Sequence, residues 1–414
     1  LILWKSSSMI AQDLYTLPGK VVDETGEALI GANVFFPELE KGTVTGVTGD
    51  FLITELPLGR FTLQVSFVGY ETEVSNVWVG AETDPLEIRL HATIIEGGEV
   101  VISGGRHSAQ HENAIKIELL NARELKQIGS PTLVGNLVEI PGVDMISRGG
   151  SVTTPVIRGL STSNILVLNN GFRMENYQFS ADHPYLIDGN GLERVEVIKG
   201  PASLLYGSDA IGGVINLVQD KPAPPQSVTG DADVKYFSNT AGIEGSLGVK
   251  GNHGPLTWGI GGGYRSHKDY MAGDGTTVPN SRFNGGSLKA TVGVRGKSNL
   301  HRLAYEYQQL KPGVVNEASA ALVRSNDRRN EVWYQDLDNH LLMSRNQFFL
   351  HPFKLQANFS YQHNHRRLIA SEPEHSNVDM QLGTFSYDLR GSLVTSDVSE
   401  FTLAVQGLSQ ANRN

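Results

Sequence analysis

Leu192-Glu193-Arg194-Val195-Glu196-Val197-Ile198-Lys199-Gly200-Pro201-Ala202-Ser203-Leu204-Leu205-Tyr206-Gly207-Ser208-Asp209-Ala210-Ile211-Gly212-Gly213-Val214-Ile215-Asn216-Leu217 reads as a strand, a turn and a second strand. Val195, Val197 and Ile198 form a β-prone run that Gly200-Pro201 stops, because proline locks φ while glycine leaves it free. Residues 202–206 have room for one helical turn, which Gly207 ends. Gly212-Gly213 lets a second backbone pass close before the β-rich Val214-Ile215-Asn216-Leu217.

This run resembles the plug domain of TonB-dependent outer-membrane receptors. Glu193-Arg194-Val195-Glu196, Lys199-Gly200-Pro201, Tyr206-Gly207 and Gly212-Gly213-Val214-Ile215-Asn216 follow one another without a gap. A match of that length is far more specific than a lone glycine motif. The resemblance implies a plug seated inside a transmembrane β-barrel, driven by a TonB-type energy-transducing protein in the periplasm.

Composition sets the outer bounds. The 414 residues suffice for two or three domains, and 34 Lys+Arg against 44 Asp+Glu argue against a general phosphate-binding surface, so no nucleic-acid partner is expected. Forty-six glycines and 39% hydrophobic residues suit a turn-rich, mainly β protein. No run of about 18 apolar residues occurs, which excludes a spanning helix but leaves a β-barrel open. The absence of cysteine rules out disulfides and thiolate metal sites. Residues 1–11 read as the remnant of a secretory signal, with Ala11 a plausible cleavage position; the expectation is a piece cut at both ends of a longer chain.

Residues 17–92 are expected to form a small all-β unit, with Phe61-Thr62-Leu63-Gln64-Val65-Ser66-Phe67 alternating at period two. Leu29-Ile30-Gly31-Ala32-Asn33-Val34, Gly49-Asp50-Phe51, Leu56-Pro57-Leu58-Gly59 and Ser66-Phe67-Val68-Gly69-Tyr70 are similar to the carboxypeptidase-regulatory-like, transthyretin-like sandwich. In the carboxypeptidases that module accompanies a zinc peptidase. Neither His-x-x-Glu nor His-Glu-x-x-His occurs among the twelve histidines, so no enzyme is expected. Within residues 97–105, Glu99-Val100-Val101-Ile102-Ser103 lies between glycine pairs, as an extended run that can add to a partner's sheet edge. Its position resembles that of the TonB box, the segment the periplasmic partner pulls.

The plug is placed at residues 112–221. Residues 124–138 have helical spacing and close at Pro141-Gly142-Val143; Ile165-Leu166-Val167-Leu168-Asn169 reads as a fully buried strand. Where the family usually has Asp-Gly, this chain has Asn169-Asn170-Gly171, which keeps the turn chemistry and removes a carboxylate. Arg158, Glu193, Arg194 and Glu196 match family positions that form ion pairs in the lumen, and the resemblance implies a structural or gating role. Gln178, Asp182 and His183 fall where plug loops face incoming substrate. Pro222-Ala223-Pro224-Pro225 separates the plug from the C-terminal strands.

From residue 228 to 414 the pattern is a series of alternating strands, about nine of them, against about 22 in plugged transporters. Trp258, Ile260 and Tyr264, Leu303, Tyr305 and Tyr307, and Phe353, Leu355, Phe359 and Tyr361 belong to rows expected to face outer-membrane lipid. Short turns near 252–254, 296–298, 351–352 and 395–397 alternate with long connections at 266–282, 311–339 and 366–378, matching short periplasmic turns and long external loops. The missing strands leave two open edges, from which this piece alone is expected not to insert as a working barrel.

The substrate reading stays open among a metal chelate such as a ferric siderophore, free zinc or another metal ion, and a glycan; surface adhesion or a purely structural role is the non-transport alternative. His183, His363, His365 and His375 are candidate metal ligands, and Arg324 and Arg328 candidate contacts for an anionic siderophore. No cofactor is implied, since no Gly-x4-Gly-Lys-Ser/Thr run binds nucleotide.

Overall fold

The computed structural model describes residues 13–81, 83–92, 100–103, 106–109, 117–175, 180, 183–200, 208–323, 327–330, 332–370, 376–396 and 399–413. Its N-terminal unit holds β1 (Leu14–Asp23), β2 (Asn33–Phe36), β3 (Lys41–Val44), β4 (Asp50–Pro57), β5 (Gly59–Ser66), β6 (Glu73–Val79) and β7 (Leu86–Leu90). These form two facing sheets, ordered β4-β1-β7 and β3-β2-β5-β6. Inward residues of both, among them Leu17, Val34, Phe36, Ile53, Leu56, Phe61, Leu63 and Val65, make one core. Each buried aliphatic side chain there contributes about 1.5–3 kcal/mol. Next, β8 (Val100–Ser103) pairs with β9 (Arg106–Ala109) as an isolated hairpin.

The plug comprises β10 (Ile117–Asn121), β11 (Val143–Ser147), β12 (Thr153–Ile157), β13 (Leu160–Ser161), β14 (Ile165–Asn169), β15 (Phe172–Arg173), β16 (Leu192–Ile198) and β17 (Gly213–Gln219), with α1 (Ala122–Gln127) and α2 (Leu133–Leu137). Its main sheet runs β10-β16-β17-β14-β15. All of β14 is buried, as its unbroken apolar run requires: Ile165 and Val167 join Val195, Val197, Ile215 and the helices on one side, while Leu166 and Leu168 join Ile198 and Val214 on the other. The expected single helix over 124–138 is two short ones. Pro131 lacks an N–H and drives the preceding residue out of helical geometry, and Thr132 starts the second helix by accepting the Gly135 N–H at 3.2 Å. Asn121 and Glu124 form a reciprocal cap on the first.

Nine strands complete the described chain: β18 (Ser227–Phe237), β19 (Gly242–His253), β20 (Leu256–His267), β21 (Phe283–Arg295), β22 (Asn299–Pro312), β23 (Tyr334–Leu350), β24 (Phe353–Ile369), β25 (Ser376–Ser396) and β26 (Ser399–Arg413). They pair antiparallel in strict chain order, giving one curved wall. β23 and β24 have 17 residues and β25 has 21, whereas about 9–11 tilted residues cross a bilayer. The outer strands therefore project well past the membrane. For the same reason the long loop expected at 366–378 is mostly ladder, leaving only residues 370–375 as the connection. The proline linker lies along the wall, where the Ala223 carbonyl accepts the Asn252 side-chain amide at 2.9 Å.

Candidate functional site: plug, inner wall and outer loops

Alternation sorts the wall into two faces. Leu256, Trp258, Ile260, Tyr264, Leu303, Leu342, Leu355, Phe359, Tyr361, Phe385 and Leu389 are exposed on the convex side, while Glu306, Gln308, Asn339, Gln362 and Asn364 are buried on the side that holds the plug. The plug meets this inner face through hydrogen bonds. Asn169 donates to Glu306 at 2.8 Å, the Glu175 N–H to Gln362 at 2.8 Å, and Asn364 to the Glu175 carbonyl at 3.0 Å. Lys289 reaches the Asn190 carbonyl and Gln219. Smaller apolar seams, Phe172 with Leu341 and Met343, and Leu186 with Phe283, Leu310 and Leu337, close the contact.

Inside the plug, Arg194 makes a forked pair with Glu196, Nε and Nη2 to Oε1 at 3.0 and 2.8 Å, and reaches Glu193 at 3.4 Å; Glu196 also accepts from Asn216 at 2.9 Å. Glu193 holds Lys221 at 2.8 Å. Arg158 stands apart from this network: it is exposed, adopts φ 50°, and its guanidinium lies over Gly200. At the head of β15, Arg173 bridges Glu175 and Asp209. Burial opposes its charge, but the two carboxylates outweigh that and raise its pKa. Tyr185 is buried with its hydroxyl donating to the Thr162 carbonyl at 3.1 Å, and burial, then Glu175, pushes its pKa up.

A cavity of about 340 Å³ separates α1, α2 and residues 186–193 from strands β18–β22. Asp188, Asp231, Asp233 and Glu244 line it with Lys235 and Arg265. Between these charged side chains the wall has inward glycines at Gly248, Gly261, Gly263 and Gly285, and a Cβ at Gly263 would come within 2.6 Å of the Asn190 amide.

At the outer end the described residues of the connections after β20 and β22 are tied by buried contacts. Asp269 takes the Arg282 guanidinium in a forked pair at 3.0 and 2.6 Å, with both side chains buried. His267 stacks on Phe283 at 4.1 Å and bonds Thr240 and Glu244. The segment with α3 (Glu317–Leu322) joins this assembly through the Asn280 side chain, which donates to the Val314 and Trp333 carbonyls. None of these partners was legible from the chain alone, because Asp269 and Arg282 sit at opposite ends of one loop.

The expected site residues scatter. Gln178, Asp182, Arg324 and His375, with Glu99, lie outside the described residues. His183 is half-buried and engaged. Arg328 is tied to the carbonyls of Ser266, at 2.6 Å, and Ala241, so it staples the outer loop instead of presenting a free cation. His363 and His365 occupy the outer face, in parity with Phe359 and Tyr361, away from the plug. His363 pairs His340 across the ladder and His365 meets Asp379 at 2.7 Å. Above them runs a row of alternating charge, Lys311, Asp336, Arg367 and Asp379, so the histidines mark the upper limit of the apolar belt. Val100–Ser103, expected as a lone extended run, is already paired with β9.

A plug held inside an antiparallel wall with an apolar outer face is the architecture of part of a plugged outer-membrane barrel. Residues 109–214 match the TonB-dependent Receptor Plug Domain family, and residues 17–102 match the CarboxypepD_reg-like domain. The chain thus carries a TonB-dependent receptor plug behind a carboxypeptidase-regulatory-like domain, and its wall is part of a barrel of the Gram-negative outer membrane. A vitamin B12 transporter of Photobacterium profundum is 29% identical over 157 residues, 37% of this chain and 26% of the relative. An iron-regulated outer membrane virulence protein of Vibrio cholerae is 34% identical over 137 residues, 31% of this chain and 21% of the relative. The ferric enterobactin receptor of Pseudomonas aeruginosa superposes with a TM-score of 0.59 at 15% identity, covering 75% of this chain and 51% of that one. The chain spans about a quarter of the length of those curated relatives and half of that structure.

Proposed function

We propose that the protein is a transporter, not an enzyme, that carries a scarce nutrient across the outer membrane with energy supplied by a periplasmic TonB-type partner. The observation that carries this reading is the plug–wall contact. It rests on scattered hydrogen bonds, the Lys126–Asp233 and Lys250–Asp220 ion pairs and two small apolar seams, which supports a plug that can part from the wall with both still folded. The partner would take Val100–Ser103 as an added strand, which requires the β8–β9 hairpin to open.

A metal chelate such as a ferric siderophore fits better than a bare metal ion. Relatives are named for vitamin B12 and for iron regulation, and among the described residues no group of three or more His, Asp or Glu is placed to hold a metal ion. The plug apex and outer vestibule would bind the chelate through Arg173, His183 and the loops around them. Nothing in the site favours glycan import or adhesion.

The test is uptake by cells expressing the full-length protein, with radiolabelled ferric siderophores and cyanocobalamin offered separately. Val101→Pro removes a ladder N–H and should abolish uptake while binding persists. Uptake unchanged by Val101→Pro, or by collapsing the proton gradient, would end the TonB-dependent reading.

A further inference from the structure

The lower, periplasmic end of the wall places arginines where their charge is not met. Arg302 on β22 and Arg345 on β23 stand directly opposite each other in the ladder and on the same inward face. Like charges in that position repel. Arg295, at the end of β21, joins them from the adjacent strand.

The anion these three groups share comes from the N-terminal sandwich. Glu40 accepts from Arg302 at 2.9 Å through Oε1, its backbone carbonyl accepts from Arg295 at 2.7 Å, and Arg345 lies within its electrostatic reach. Among the described residues the plug contributes no carboxylate: Arg345 donates to the Asn170 backbone carbonyl and covers the Phe172 ring. Of the neighbouring acids, Asp388 is held by Arg390, Glu306 by Asn169, and Glu55 by Lys41. Of the three guanidinium groups only Arg302 is paired with the Glu40 carboxylate; Arg295 takes the Glu40 backbone carbonyl, with the exposed Glu55 near it but engaged by Lys41, and Arg345 is paired with no carboxylate among the described residues. Glu40 Oε2, Arg295 Nε and Arg302 Nε are buried without a hydrogen-bond partner among the described residues, so the fit of this carboxylate is incomplete. Glu40 also sits at φ 47°, a left-handed position that favours glycine, which sets its side chain against its backbone preference.

We infer that Arg295, Arg302 and Arg345 form an anion-binding site at the periplasmic mouth of the lumen, and that Glu40 occupies it as a tethered competitor. Its ligand is a compact oxyanion, a phosphate or a carboxylate carried by a small molecule, for which guanidinium forks are the matching donors. The sandwich then does two things: it closes the exit and it screens the site until it moves aside. The assignment does not depend on which substrate the protein carries, and its test reads binding, not transport.

The experiment is isothermal titration of inorganic phosphate, and separately of citrate, into the detergent-solubilised full-length protein and its variants. Glu40→Gly removes the competitor and relieves the backbone at once. It should bind phosphate, citrate or both at least about tenfold more tightly than the wild type. Adding Arg302→Gln should abolish that gain. Glu40→Gln, which keeps the side-chain volume, should show phosphate-dependent thermal stabilisation that the wild type lacks, and covers the case in which the glycine variant fails to fold. A preference for phosphate over citrate assigns the ligand class as phosphate, and the reverse as carboxylate. Glu40→Gly titrating like the wild type, or Glu40→Gly/Arg302→Gln binding as tightly as Glu40→Gly, would overturn the proposal.

Discussion

The two ends of the nine-stranded wall are held by different physics. At the outer end the seal is internal to the barrel: Asp269 and Arg282 are both buried, paired in a fork, and framed by the His267–Phe283 stack. At the periplasmic end the seal is a separate domain. Phe349 from β23 enters the sandwich core against Phe61 at 5.5 Å, His351 meets Trp78, and Lys354 lies over the Phe61 ring. The first pairs Asp269 with Arg282, whereas the second brings Arg295, Arg302 and Arg345 together with only Arg302 paired to a carboxylate, Glu40. The wall thus has a rim built from its own loops at one end and a contact with a separately folded domain at the other.

The largest way to break this contrast is at the outer rim. Asp269→Ala strands the buried Arg282 and should cost about 3–5 kcal/mol, read as a lowered heat-modification temperature and new protease cutting within 268–282. Phe349→Ala should cost about 3 kcal/mol and act on the cover alone, freeing the sandwich to limited proteolysis while the barrel melts unchanged. If Phe349→Ala lowers both transitions together, the cover is not a separate body. Smaller is Thr132→Ala in the plug, which removes the cap of α2 and should cost about 1 kcal/mol in plug protection by hydrogen exchange.

The smallest effect concerns acidity in the cover. Burial raises the Glu38 carboxyl above its ordinary 4.5, although the Thr62 N–H and hydroxyl bond it and Lys354 lies near. A raised carboxyl pKa means the folded state binds the proton more tightly. Its stabilisation is therefore full below pH 4.5 and is lost as pH rises through the folded value. Glu38→Gln should flatten the pH dependence of the sandwich's melting above pH 4.5; a profile that keeps its slope would assign the titration to another group.

Much of this was readable in the chain. The expected count of about nine strands matches the nine observed, and the short connections near 254, 297 and 351 fall between strands as expected. The parity that put Phe353, Leu355, Phe359 and Tyr361 toward lipid also covers His363 and His365, so their outward placement could have been read from the same row. Pro131 likewise announced the break between α1 and α2. The Asp269–Arg282 pair, the stapling of Arg328 to Ala241 and Ser266, and the Glu40 contact had no local signal.

The sequence by itself determined the elements whose causes are local: strands from alternation, turns from glycine and proline, helix starts from Asn121 and Thr132, and a plug from one continuous run of motifs. Tertiary structure alone decided which distant side chains share a site. Ladder register sets Arg302 against Arg345, and packing of the sandwich under the wall brings Glu40 to both. The reason is that backbone preference and alternation act over a few residues, whereas charge and burial act across whatever the fold brings within a few ångströms.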